Sequence, residues 1–146
     1  MVIGYTTGVF DMFHIGHLNL LRRARENCDY LIVGVTIDEL SVSRKGKVPI
    51  IPFIERCEII GALKFVNKVV SQDTMDKMAA WNRYKFDIMF VGDDWKGSPE
   101  WDELEKKLAE VGARIMYFPY TKSTSSTKMR EYLNQALTDR TSSHFQ

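Results

Sequence analysis

The run Tyr30-Leu31-Ile32-Val33-Gly34-Val35-Thr36 constrains the fold more than any other stretch of the chain. Seven nearly unbroken apolar, β-favouring residues read as a strand covered on both faces, which is the mark of a parallel sheet. A parallel neighbour needs a crossover, usually a helix. Residues 2–7 read as a strand and Gly16 to about Asn27 as a helix, with Leu18, Leu21 and Ala24 at helical spacing, so the opening segment is a βαβ unit. The alternation continues with a helix at about 53–65, a short strand at 67–71, a helix at about 74–84, a strand at 87–91, a helix at about 99–111, a strand at 113–118 and a helix at about 125–137. The expected fold class is α/β: a doubly wound, mainly parallel five-stranded sheet with right-handed crossovers and helices on both faces. A chain of 146 residues fits one domain, expected over 1–138, with a polar, patternless and flexible tail over 139–146.

Two segments break the rhythm. One is Ser41 to Pro52, which carries Arg44-Lys45-Gly46-Lys47, and the other is Pro119 to Thr124, rich in Ser, Thr and Lys. Ligands bind beyond the carboxyl ends of the strands in open α/β sheets, so both segments are candidate walls of a site. The net charge of +1, from 20 basic and 19 acidic residues, offers no global field for nucleic acid, and any anion site must be local. No apolar run approaches the roughly 18 residues of a membrane span. Cys28 and Cys57 lack a CxxC spacing, and no secretory leader precedes them, so they read as thiols of a cytoplasmic protein.

The first βα junction is the chemically informative stretch, because it places Gly8, Asp11, His14, Gly16 and His17 where a strand turns into a helix. Glycines let backbone approach a ligand, and a helix start offers unpaired N–H groups and a positive dipole end, which together suit a phosphate. His14 and His17 would lie near each other on a helical turn and suit gripping phosphate oxygens during nucleotidyl transfer. The same spacing also serves a zinc pair, for which no third ligand cluster lies nearby, or a purely structural pair. Gly92-Asp93-Asp94-Trp95 follows an apolar strand, so it falls at the carboxyl edge of the sheet, either around a nucleoside or as a solvated loop. Ser125-Ser126-Thr127 precedes a helix and reads as an N-cap or as a receiver of phosphate. The cationic Arg44–Lys47 cluster reads as a phosphate-covering loop or as a solvated face.

Gly8-Val9-Phe10-Asp11, two further residues, then His14-Ile15-Gly16-His17 resembles the HxGH signature of the cytidylyltransferase family, a branch of the HIGH nucleotidyltransferase superfamily. Tyr30–Val35 with Thr36-Ile37-Asp38-Glu39-Leu40, Val91-Gly92-Asp93-Asp94-Trp95-Lys96-Gly97 and Thr124-Ser125-Ser126-Thr127-Lys128-Met129-Arg130 resemble further blocks of that family, in the same order. The likeness runs from Ile3 to about Leu133 and is strongest to the glycerol-3-phosphate members.

The resemblance implies transfer of CMP from CTP to a small phosphorylated alcohol, with release of pyrophosphate and with Mg²⁺ accompanying the nucleotide. It implies catalytic roles for His14, His17 and Lys47, with Asp11 positioning the site. Gly8, Val9, Phe10, Gly16, Gly92, Asp94, Thr121, Thr124, Ser125, Ser126 and Thr127 would contact the nucleotide, and Lys45, Arg56 and Lys77 the substrates; no resident metal site and a homodimer are expected. Tyr120 stands where the family carries an arginine, with Lys122 two residues on. This departure leaves open a different acceptor alcohol or amino alcohol and a nucleotide-binding regulator, and the superfamily resemblance leaves open adenylyl transfer.

Overall fold

A computed structural model describes residues 1–119 and 126–144, and in the last helix the side chains of 128–139. Among the described residues five strands, β1 (Ile3–Gly8), β2 (Tyr30–Thr36), β3 (Lys68–Gln72), β4 (Ile88–Gly92) and β5 (Arg114–Phe118), form one sheet in the order β3-β2-β1-β4-β5. Every neighbouring pair is parallel. The connecting helices are α1 (Ile15–Glu26), α2 (Asp38–Lys45), α3 (Phe53–Gly61), α4 (Lys77–Tyr84), α5 (Pro99–Glu110) and α6 (Ser126–His144).

The alternation of side chains along β2 divides the core into two layers. Leu31, Val33 and Val35 pack with Leu21 and Ala24 of α1 and Ile60 of α3, whereas Ile32 packs with Tyr5, Met89 and Leu108 of α5. Trp81 of α4 joins the second layer, and its indole N–H donates to Phe86 O at 3.1 Å. Both faces of the sheet are therefore covered by helices, as the unbroken apolar run in β2 requires, each fully buried aliphatic side chain contributing about 1.5–3 kcal/mol.

The boundaries differ from the sequence expectations at four places, each with a local cause. The first five residues of the segment expected to be an irregular loop, Ser41 to Lys45, belong to α2: Asp38 and Glu39 in its first turn and Arg44 and Lys45 in its last complement the helix dipole, and Gly46 ends it at φ 69°. Helix α3 stops at Gly61, because the chain tightens there, with Leu63 N–H bonding Ile60 O, and sends Leu63, Phe65 and Val66 onto the core. Helix α4 starts only at Lys77, where the Asp76 carboxylate accepts from the Met78 and Ala79 N–H groups at 3.0 and 3.1 Å. Helix α6 runs to His144, past the expected helix end at about 137, with Thr138 Oγ1 bonding Asn134 O one turn back.

Candidate active site

Chain order runs outward from β1 in both directions, through β2 to β3 and through β4 to β5, so the carboxyl end of β1 is the switch point at which an α/β sheet opens a crevice. A cavity of about 620 Å³ lies there. Gly8 and Val9 line it at the end of β1, Thr36 and Gln72 at the ends of β2 and β3, and Gly92 and Asp94 at the end of β4. A Cβ on Gly8 would stand 2.9 Å from the Phe10 ring, which is why the backbone needs glycine at this turn.

Four cationic residues line the cavity, Arg44, Lys45, Lys77 and Lys107, and two of them are partly desolvated lysines. Lys77, at the start of α4, places Nζ 3.5 Å from Thr7 Oγ1, and burial, aided by the charge of Arg44, pushes its pKa down to about 8. Lys45, the last residue of α2, is exposed as a residue, but desolvation and the charges of Arg44 and Arg130 lower its ammonium pKa, against the pull of Asp11. Lys45, not Lys47, is the lysine of this segment that lines the cavity. Lys47 is exposed, and the structure uses its backbone carbonyl, which accepts from Ser41 Oγ at 3.4 Å.

Beyond Val9, the loop from β1 to α1 adjoins this cavity without lining it. Phe10 (φ 54°) and Met12 (φ 49°) both adopt the left-handed conformation, which costs non-glycine residues about 1–2 kcal/mol each. Such strain persists only where surrounding contacts hold it, and here they hold Asp11 between the two. Asp11 is 4% exposed and accepts from the Ile50 and Ile51 N–H groups at 2.8 Å each, besides an ion pair with Arg130 of α6. Burial alone would raise its pKa; the two N–H bonds and Arg130 outweigh it and hold the carboxyl below its usual range. Asp11 thus fastens three segments together.

His14 is the N-cap of α1. Its Nδ1 accepts from Gly16 N–H at 3.0 Å, while His17 Nδ1 accepts from His14 N–H at 3.3 Å, a reciprocal capping box built from two imidazoles. The rings stack with centroids 3.8 Å apart, and Phe10 meets His17 edge-on at 5.4 Å. Burial lowers both pKa values, that of His17 to about 4, so both rings are neutral at pH 7. A neutral ring that accepts at Nδ1 carries its proton on Nε2, and each ring therefore keeps a donor for an anionic ligand. The charge of Lys45 acts on His17 and that of Asp11 on Lys45, which links this helix start to the cavity.

Arg56 braces the segments around the cavity. Expected to contact substrate, it is instead 1% exposed, with Nε donating to Ile51 O at 2.9 Å and Nη1 to Val9 O at 2.8 Å and Thr36 O at 2.7 Å. Its Nη2 pairs with Asp38 at the start of α2. The planar guanidinium ties β1, β2, α2 and α3 around the cavity, with four of its five N–H donors engaged within the protein. Thr121, Thr124 and Ser125 lie outside the described residues, as do Tyr120, Lys122 and the side chains of Ser126 and Thr127, although the backbone of Ser126 and Thr127 opens α6. Sequence reasoning assigned nothing to Arg130, Asp38 or Gln72. Only the position of Arg130 within the Thr124–Arg130 block pointed to it.

The family model for cytidylyltransferase-like proteins matches residues 5–132. The glycerol-3-phosphate cytidylyltransferase of Bacillus spizizenii is 35% identical over 127 residues, covering 86% of this chain and 92% of the relative. The FAD synthase of Thermococcus sibiricus is 32% identical over 133 residues, covering 89% of this chain and 88% of that one. Among solved structures, the lipopolysaccharide core biosynthesis protein of Thermoplasma volcanium superposes with a TM-score of 0.70 at 30% identity, over 85% of this chain and 99% of its own. With its sheet order, its imidazole-capped α1 and this match over most of its length, the chain belongs to the cytidylyltransferase-like family and is a nucleotidyltransferase.

Proposed function

We propose that the protein transfers CMP from CTP to glycerol 3-phosphate, giving CDP-glycerol and pyrophosphate. The observation that carries this reading is the pair of partly desolvated lysines, Lys45 and Lys77, in one cavity at the switch point, a pairing suited to two phosphorylated reactants. CTP and glycerol 3-phosphate themselves are taken from the B. spizizenii relative.

In this mechanism an acceptor phosphate oxygen attacks the α-phosphorus of CTP in line, and pyrophosphate leaves with the bonding electron pair. A phosphate monoester, with a second pKa of about 6, is already a dianion at neutral pH and needs no strong base. The protein therefore works by positioning and charge stabilisation. The Nε2–H groups of His14 and His17 and the ammonium of Lys45 hold the triphosphate, as do the hydroxyls among Thr121, Thr124, Ser125, Ser126 and Thr127. Gly92 and Asp94 hold the nucleoside, Lys77 holds the acceptor phosphate, and Asp11 keeps the β1–α1 loop in place.

Among the described residues no three His, Cys, Asp or Glu side chains cluster to hold a metal. Mg²⁺ asks for only one or two carboxylates besides substrate phosphates, and Asp94 in the cavity meets that demand. When bound, the ion neutralises triphosphate charge. We place the protein in the cytoplasm, where its two free cysteines fit a reducing compartment. We take it to be a homodimer, for which the exposed Val48, Ile50 and Ile54 offer apolar surface.

The test is pyrophosphate release by the purified protein with each of the four nucleoside triphosphates, Mg²⁺ and a panel of phosphorylated alcohols. Turnover with CTP and glycerol 3-phosphate is expected. Turnover with ATP and a flavin mononucleotide instead, as the name of the T. sibiricus relative suggests for that protein, would overturn the reading.

A further inference from the structure

Gln72, the last residue of β3, lines the cavity yet is only 5% exposed. Thr36 Oγ1 donates to its Oε1 at 2.6 Å, which fixes the orientation of the amide. The opposite side, Nε2, carries two N–H donors, and the partner recorded for them is the thioether of Met75 at 3.5 Å. A thioether is a weak acceptor, and methionine is flexible enough to yield its place. A buried amide nitrogen with so poor a partner, lining a polar cavity, is arranged for an oxygen that a ligand brings.

Its location selects the ligand. Gln72 lies at the β3 end of the cavity, with β2 and β1 between it and the Gly92–Asp94 end. Lys77, the cation assigned to the acceptor phosphate, follows it by five residues and opens α4 in the same wall. An N–H donor gains from an alcohol oxygen and gains nothing from an ammonium group.

We propose that Gln72 reads a hydroxyl oxygen of the acceptor through Nε2–H, and so selects phosphorylated polyols over phosphorylated amino alcohols. The proposal rests on the glycerol 3-phosphate reading above and names what in the site enforces it.

The test uses the whole protein, saturating CTP and four acceptors: glycerol 3-phosphate, its two monodeoxy analogues and ethanolamine phosphate. For the wild type, kcat/KM is expected to be about tenfold or more higher with glycerol 3-phosphate than with the analogue lacking the hydroxyl that is read. Gln72→Met, of similar length but without the donors, should bring that ratio close to one while KM for CTP stays within twofold. Gln72→Glu, which presents acceptors in place of donors, should raise the preference for ethanolamine phosphate relative to glycerol 3-phosphate by about tenfold. The proposal is overturned if Gln72→Met lowers all acceptors equally or raises KM for CTP. Should that variant fail to fold, an unchanged preference in Gln72→Glu overturns it. A wild type that releases no pyrophosphate with glycerol 3-phosphate sinks the functional reading as well, whereas a wild type active on it with discrimination unmoved by the variants sinks only the role of Gln72.

Discussion

Replacing Arg56 by methionine keeps the volume of its stem and removes a guanidinium whose side chain is 0% exposed. Three backbone carbonyls, Val9 O, Thr36 O and Ile51 O, then lose their donor, and Asp38 loses its counter-ion. Each carbonyl left unpaired costs about 1 kcal/mol or more. The Asp38 side chain is 37% exposed, so water takes over much of its charge and it adds little. The sum, about 3–5 kcal/mol, matches the usual cost of removing one partner of a buried pair and is a large part of the roughly 5–15 kcal/mol that holds a domain together. At a urea slope of about 2 kcal/mol per molar, the unfolding midpoint followed by circular dichroism should fall by about 2 M. Arg56→Lys should recover only part of the loss, since one ammonium cannot span four acceptors in a plane. A midpoint moved by less than about 0.5 M, together with a raised KM for the acceptor, would refute the bracing role and restore Arg56 as a substrate contact.

Other expectations follow from the titrating groups and the imidazole cap. Because the pKa of Lys77 is pushed down to about 8, kcat/KM for the acceptor should fall as pH rises through that value, and Lys77→Met should be slower at pH 7 and flat across the same range. For the ligand-free fold the sign is opposite: between about 8 and 10.4 the unfolded chain holds the proton that folded Lys77 has lost, so stability should rise with pH in that window. His17, held at about 4, should show no imidazole titration by NMR between pH 5 and 8; its linkage should cost stability as pH falls from about 6.5 towards 4, where the unfolded ring takes up a proton and the folded one does not. His14→Asn retains a good N-cap acceptor, so thermal stability should change by less than about 1 kcal/mol. Turnover should nevertheless drop by about a hundredfold or more, for want of the Nε2–H donor; equal activity in this variant would assign His14 to capping alone.

The sheet was legible because its evidence is local. Tyr30–Thr36 was read with the bounds that β2 has, since a doubly covered strand leaves an apolar run with no competing period. Helix α2 was hidden because only Ser41 of its eight residues is buried, so it carries no apolar stripe. Its acidic start, basic end and Gly46 were nevertheless stop and start signals that outweigh such a missing stripe. In the site, the glycines and histidines from Gly8 to His17 announced themselves by spacing, but the choice between Lys45 and Lys47 depends on where a helix ends, which spacing does not reveal. The bonds of Arg56 to Val9 and Thr36 span 47 and 20 residues, and that of Arg130 to Asp11 spans 119. Such pairings follow from strand order, which no single segment encodes. Gln72 looked like any polar residue at a strand end until its burial was known.

The central claim is that this cavity joins a cytidine nucleotide to a phosphorylated polyol, and product identity tests it most directly. Purified protein supplied with CTP, glycerol 3-phosphate and Mg²⁺ should generate one CDP-glycerol for each pyrophosphate, seen by phosphorus NMR as a new diphosphate pair, and should generate neither ADP-glycerol nor pyrophosphate with ATP in place of CTP. Absence of that product, alongside formation of FAD from ATP and flavin mononucleotide, would contradict the account.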